Sequence, residues 1–239
     1  MRSITGVLAA LAGVVAVIGC APTQVQSTYQ RESAMARPER VLVYDFAVSP
    51  EQVQLDRGLS AEIVQMSQGT SRTEQEIQVG QKAARVLADE LVKEINAMGL
   101  PAQRVAGAPM NWANSLLIEG QFLSIDEGNR TERTVIGLGA GRSDVEALVQ
   151  VYEASGSRLV RLEEFSTTAK SGIKPGAAET MGMGAAAGTL AVSAAVTVGG
   201  AIASEALGAN VEADSRRTAS SIADQLQDYF TRQGWLEPQ

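Results

Sequence analysis

Between Ser71 and Pro101 the sequence repeats its apolar side chains at a period that suits one kind of element. Ile77, Ala84, Leu87, Leu91, Ile95 and Met98 recur at intervals of three, four and seven, which places them along one stripe of an α-helix. Ser71 and Glu74 have the spacing of a capping box, in which the serine oxygen accepts from the backbone N–H three residues on. Gly99 and Pro101 stop the run. A helix of about 25 residues with a single apolar stripe must bury that stripe against another layer, and a sheet offers it the broadest surface. The rest of the chain therefore has to supply strands.

It does so in four places. Arg40 opens RVLVYDFAV, whose β-branched and aromatic residues predict a buried strand over Val41–Val48. In ANSLLIEGQFLSIDEG, Leu116, Ile118 and Phe122 share one parity and Glu119 and Gln121 the other, a strand pattern ending at the turn Asp126 to Asn129. Val145–Glu153 and Arg158–Thr168 are two further extended stretches joined by ASGS, so these three strands predict an antiparallel meander. The connection from Ser49 to Thr70 is long and polar, as binding or capping loops often are. A last helix, about Asp214 to Gln233, buries Ile222, Leu226, Tyr229 and Phe230 and stops at Gly234, after which Trp235 and Leu236 fold back on the core. The expected fold class is α+β: an antiparallel or mixed sheet packed by an amphipathic helix and a C-terminal helix, in one domain over residues 40–239.

The N-terminus gives an address. Arg2, the apolar stretch Val7 to Ile18 and the tetrad Val17-Ile18-Gly19-Cys20 have the order of a secretory signal whose apolar core is short for a bilayer span. The tetrad resembles a bacterial lipobox, in which the signal (1–19) is removed and Cys20, the only cysteine of the chain, is acylated. Two or three acyl chains, at about 0.8 kcal/mol per buried methylene, anchor a protein stably. An aspartate after the cysteine is the usual inner-membrane retention signal, and Ala21 stands there instead, so the expected location is the periplasmic face of the outer membrane. Residues 20–39, rich in Gln, Ser and Thr without a consistent apolar period, read as a lipid-anchored tether.

Composition removes several functions. Loss of Arg2 with the signal leaves 19 basic against 27 acidic residues, a net charge of −8, and aromatic residues are only 4% of the chain, which argues against nucleic acid as a partner. There is no histidine, so no Ser-His-Asp or Cys-His arrangement and no zinc site of ordinary composition can form. No cofactor, metal or catalytic residue is expected. Carboxylate chemistry is what remains open, and the paired acids Asp126-Glu127 and Glu163-Glu164 read as a solvated turn and a strand edge. Adjacent strand residues point to opposite faces, so neither pair converges on one substrate.

In IGLGAGRSD, residues 136–144, Gly137, Gly139 and Gly141 follow a strand-like stretch but miss the dinucleotide spacing, whose third glycine would fall at Arg142. The segment after it alternates as a strand, which leaves no helix N-terminus for a pyrophosphate. A glycine-rich β-turn or bulge is the plainer reading, with Arg142 and Ser143 beside it as a possible anion or partner contact. The lipobox, RVLVYDFAV and above all GLGAGRSDVEALVQVYEASG resemble a family of proteobacterial lipoproteins known as domain of unknown function 4410, over roughly Arg40 to Gln233. The chain is more loosely similar to periplasmic domains of envelope-assembly lipoproteins, among them the curli-secretion channel lipoprotein and transporter-associated lipoproteins. That resemblance implies rings or support of larger complexes, although the amphipathic barrel strands of the curli channel are not recognisable here.

Residues 180–204, TMGMGAAAGTLAVSAAVTVGGAIAS, contain no charge. Ala187, Ala191, Ala195, Gly199 and Ala203 form a row at four-residue spacing, with Gly184 and Gly188 in the neighbouring row, a pattern that lets helix backbones approach closely. The few strongly apolar residues supply a small drive for insertion. Three readings stay open: a close-packed helix or helical hairpin on this domain or another subunit, membrane association, or a loop. Taken together, these features predict a non-enzymatic, lipid-anchored accessory or assembly protein that meets the membrane through Cys20 and contacts envelope proteins or copies of itself. The alternatives are a small-molecule or anion-binding module at the glycine turn and a carboxylate-dependent cell-wall hydrolase.

Overall fold

The computed structural model describes residues 23–31, 35–58, 69, 71–106, 113–129, 132, 141–155, 158–171 and 209–236. Seven strands form one open mixed sheet: β1 (Thr23–Gln30), β2 (Arg40–Tyr44), β3 (Val53–Gln54), β4 (Ala102–Val105), β5 (Ser115–Asp126), β6 (Asp144–Ser155) and β7 (Arg158–Lys170). The spatial order is β1-β7-β6-β5-β2-β4, with β3 pairing the far end of β5. Strands β5, β6, β7 and β1 are antiparallel neighbours, whereas β2 is parallel to both β4 and β5. Two helices, α1 (Arg72–Ala97) and α2 (Ala209–Arg232), pack side by side on one face. The expected α+β class, the meander and both helices are present.

Helix α1 begins as its sequence requires, with the Ser71 hydroxyl accepting from the Glu74 backbone N–H at 3.2 Å. Its buried face runs through Val79, Ala83, Leu87, Leu91 and Ile95. Ile77, expected on this stripe, is 41% exposed. The stripe meets Val41, Val43, Leu116, Ile118 and Phe122 from the sheet, and α2 adds Ile222, Leu226, Tyr229 and Phe230 to the same core. Gly120 lets Phe46 cross close to β5: a Cβ there would stand 2.4 Å from the Leu148 carbonyl oxygen and 2.6 Å from the Phe46 ring. Gly234 takes φ +73° at the end of α2, and Trp235 turns back to stack on Phe230 at 5.4 Å.

Within the stretch expected to be a tether, residues 23–31 and 35–39 are held against the fold. Thr23–Gln30 is the edge strand β1, in register with β7 from Thr23↔Ala169 to Gln30↔Glu163. Its polarity hides a period of two: Thr23 and Val25 are half-buried on the inner face, and after the irregularity at Ser27/Tyr29 Gln30 reaches Glu163 on that face. Residues 35–39 are pinned as well: Met35 N–H donates to Gln233, Trp235 Nε1 donates to the Met35 carbonyl at 3.1 Å, and Arg37 donates to the Gly99 carbonyl. Strand β4, which follows α1 directly, has no counterpart among the expected strands. No helix among the described residues is long and apolar enough to cross a membrane. Cys20, Gly137, Gly139 and the small-residue rows of 180–204 lie outside the described residues.

Candidate functional site

At one end of the sheet two glycines make the loops of β5 and β6 fit together. Gly128 and Gly141 both have positive φ (+68° and +63°), and a Cβ on either would stand 2.3 Å from a carbonyl oxygen of the other loop. Asn129 N–H donates to the Gly141 carbonyl at 3.0 Å. Arg142, next in the chain, is half-buried. Ser143 is fully buried and engaged on every side: its N–H donates to Ser171 Oγ, its carbonyl accepts from Ser171 N–H, and its hydroxyl donates to Asp214 Oδ2 at 2.5 Å. Asp214, also fully buried, takes Arg217 as its ion-pair partner. The turn thus clamps β6, the exit of β7 and the first turns of α2. An anion beside Ser143 would meet the Asp214 carboxylate, and the serine proton is already given to it.

The paired acids are placed differently from the solvated positions expected of them. Glu163 points inward and Glu164 outward, as alternation demands, but Glu163 is fully buried between β7 and α2. Its Oε1 accepts from Gln225 Nε2 at 2.6 Å and from Gln30 Nε2 at 3.1 Å. Burial pushes its carboxyl above the ordinary 4.5, against the pull of Gln225, Arg232 and Gln30. Nearby Tyr229 is buried and pushed up to about 12, first by burial and then by the Glu163 charge. Glu127 is 3% exposed and accepts from the Asp56 backbone N–H at 3.0 Å, tying β3 to β5. Both buried acids hold elements together. Gln225 and Gln30 on Glu163 and the Asp56 backbone on Glu127 are amide partners, none of them a second carboxyl.

The face of the sheet opposite the helices carries a different kind of surface. Register places Tyr29 (β1), Glu164 (β7), Gln150 (β6) and Glu119 (β5) in one row, and Tyr44 (β2) follows Val43 in the ladder beside Glu119. Gln150 Nε2 donates to Glu164 at 2.6 Å, Tyr152 OH donates to Gln150 at 3.1 Å, and Arg161 pairs with Glu164 at 2.7 Å. The Arg161 guanidinium lies 5.0 Å over the Tyr29 ring. Burial, with Glu119 adding its charge, raises Tyr44 and Tyr152 above the ordinary phenol value. Beneath them Leu42, Leu117 and Ala154 form a small apolar cluster with no helix residue in it. Three of the four tyrosines in the chain stand on this face. Alternation made it legible, for Glu119, Gln121, Gln150 and Glu164 share its parity.

At the other end of the sheet a cleft of about 180 Å³ opens between Met35, Arg37, Glu39, Asn114, Glu153 and Trp235. Among the described residues no group of three or more Cys, Asp or Glu is placed to hold a metal ion.

An open α+β sheet with two helices on one face and a glycine-clamped β5–β6 end defines the class. The chain belongs to the family described as Domain of unknown function (DUF4410), whose profile matches residues 41–188. A comparison with curated proteins gave no match. Among solved structures the chain is similar to the PelC dodecamer from Paraburkholderia phytofirmans in two crystal forms, one of a single-substitution variant. Identity is 18% in both; 64% and 63% of this chain and 81% and 82% of PelC are covered, at a TM-score of 0.30.

Proposed function

We propose that this chain is a lipid-anchored, non-enzymatic protein of the outer membrane's periplasmic face that works as an accessory or assembly component through protein–protein contacts. The observation that carries this reading is the helix-free sheet face, where Tyr29 and Tyr152 are held in a network with Glu164, Gln150 and Arg161 and Tyr44 packs against the Leu42–Leu117–Ala154 cluster. A rigid surface of tyrosines with satisfied polar partners contributes contact area at small entropic cost, which is why tyrosine is enriched at interfaces. The lipobox at Cys20 supports the anchoring half of the reading. The partner is an envelope protein or a second copy of the chain.

The test is crosslinking in the native envelope followed by mass measurement, comparing wild type with a Tyr44→Ala, Tyr152→Ala double variant. The expected result is a discrete adduct that the double variant loses while membrane attachment is kept. Adducts unchanged in the double variant would move the contact elsewhere. Attachment itself is tested with Cys20→Ser, which should release the protein to the soluble fraction.

A further inference from the structure

From the register at one end of the sheet we infer that the domain lies against the bilayer with its β5–β6 loop end toward the lipid, the apposed surface comprising Thr23, Asn129, Gly141, Arg142 and Lys170. The inference rests on acylation of Cys20. Only Ala21 and Pro22 separate that residue from Thr23, where the sheet begins. A chain this short reaches at most about 10 Å at 3.3 Å per residue, so an anchored Cys20 cannot hold the sheet far from the headgroups. The tether that would have allowed free tumbling is strand β1 instead.

The end of the sheet that this brings down is fixed by pairing. Thr23 opposes Ala169, Lys170 opposes Asp144, and Asp144 opposes Asp126, so the start of β1, the end of β7, the start of β6 and the end of β5 lie together. Gly128 and Gly141 close the same end. The other end, with Arg158, Ser155 and Ser115, is a strand length away, on the order of 40 Å for β7 at 3.3 Å per residue.

The chain at the end of β7 and the start of α2 agrees with that orientation. It leaves the sheet at Ser171, whose N–H donates to the Ser143 carbonyl at 2.9 Å, and α2 is fixed at the same place by the Ser143–Asp214 bond. Ser171 and the first turns of α2 therefore both lie at the lipid-side end. Between them in the sequence lies 180–204, the longest charge-free run after Cys20. A run without charge can lie at a bilayer without desolvating an ion.

The experiment uses the full acylated protein in phosphatidylethanolamine/phosphatidylglycerol vesicles that carry a headgroup-attached nitroxide quencher. With Cys20 consumed by lipid, a single introduced cysteine takes one fluorophore. Lys170→Cys and Arg57→Cys report the apposed end, and Arg158→Cys and Ala97→Cys the far end; all four positions are exposed. Quenching should be several-fold stronger for the first pair, with both pairs agreeing. Equal quenching, or stronger quenching at 158 and 97, overturns the orientation while flotation with the vesicles leaves the anchor standing. Protein that fails to float refutes acylation and the orientation together.

Discussion

Replacing Glu163 with Gln tests how completely α2 seals β7 from water. The Glu163 side chain is fully buried, one carboxyl oxygen accepts two amide hydrogen bonds, and the other has no hydrogen-bond partner among the described residues. Burial is the largest influence on its proton affinity and raises its pKa from 4.5; Gln225, Arg232 and Gln30 oppose the rise and Asp228 adds to it. The folded carboxyl thus holds its proton more tightly than the unfolded one. The stability it contributes is complete below 4.5 and is lost as pH rises through the folded value. Each pH unit between the two values is worth about 1.4 kcal/mol.

The Gln side chain keeps an oxygen for both amides and has nothing to titrate. At low pH the two proteins should agree within about 1 kcal/mol, the difference between hydrogen bonds to a neutral acid and to an amide. As pH rises the wild type should lose stability relative to E163Q, and the gap should then level off. Urea unfolding of the unacylated Cys20→Ser protein measures this, with fluorescence of Trp235, buried beside Tyr229, as the signal. A gap constant between about pH 4 and 8 would refute the reasoning, because it would mean that the carboxyl is ionised in contact with water in the folded state.

Two further outcomes follow from the packing. Gly120→Ala puts a Cβ into the Leu148 carbonyl and the Phe46 ring and should cost about 1–3 kcal/mol, read as a lowered melting temperature by circular dichroism. Ser143→Ala removes a hydroxyl that donates to a buried carboxylate and should cost about 1–3 kcal/mol; combined with Asp214→Ala, the double variant should be less destabilised than the sum of the singles, as urea midpoints would show.

What the sequence displayed depended on which force decided each element. Helix α1 was legible because burial alone sets its period: Leu87, Leu91 and Ile95 repeat as a helix requires, and Ser71 can cap nothing else. The β5–β6–β7 meander was legible for the same reason, each strand alternating apolar and polar over a long run. Strand β4 was not, for AQRV is short and takes its conformation from the parallel ladder with β2. The buried acids were misread by composition, although parity places Glu163 with Phe165, Thr167 and Ala169 on the inner face. What parity cannot display is that Gln225, far along the chain on α2, supplies the donor that makes such burial tolerable. The candidate surface was half visible: its carboxylates and amides follow from alternation, but the row joining Tyr29 to Tyr44 exists only through the sheet order.

Strand β1 is the clearest case of one local pattern with two physical outcomes. TQVQSTYQ is polar enough to stay in water and β-prone enough to pair, and neither property chooses between them. The choice is made by β7, whose outer edge would otherwise expose a line of unpaired N–H and C=O groups from Glu163 to Ala169. Satisfying that edge turns eight residues from spacer into scaffold, and the same pairing fixes how far the fold can stand from an acylated Cys20. Under the proposed acylation of Cys20, sheet completion and membrane distance are one structural variable: any change that frees β1 from β7 would loosen the sheet and lengthen the tether together.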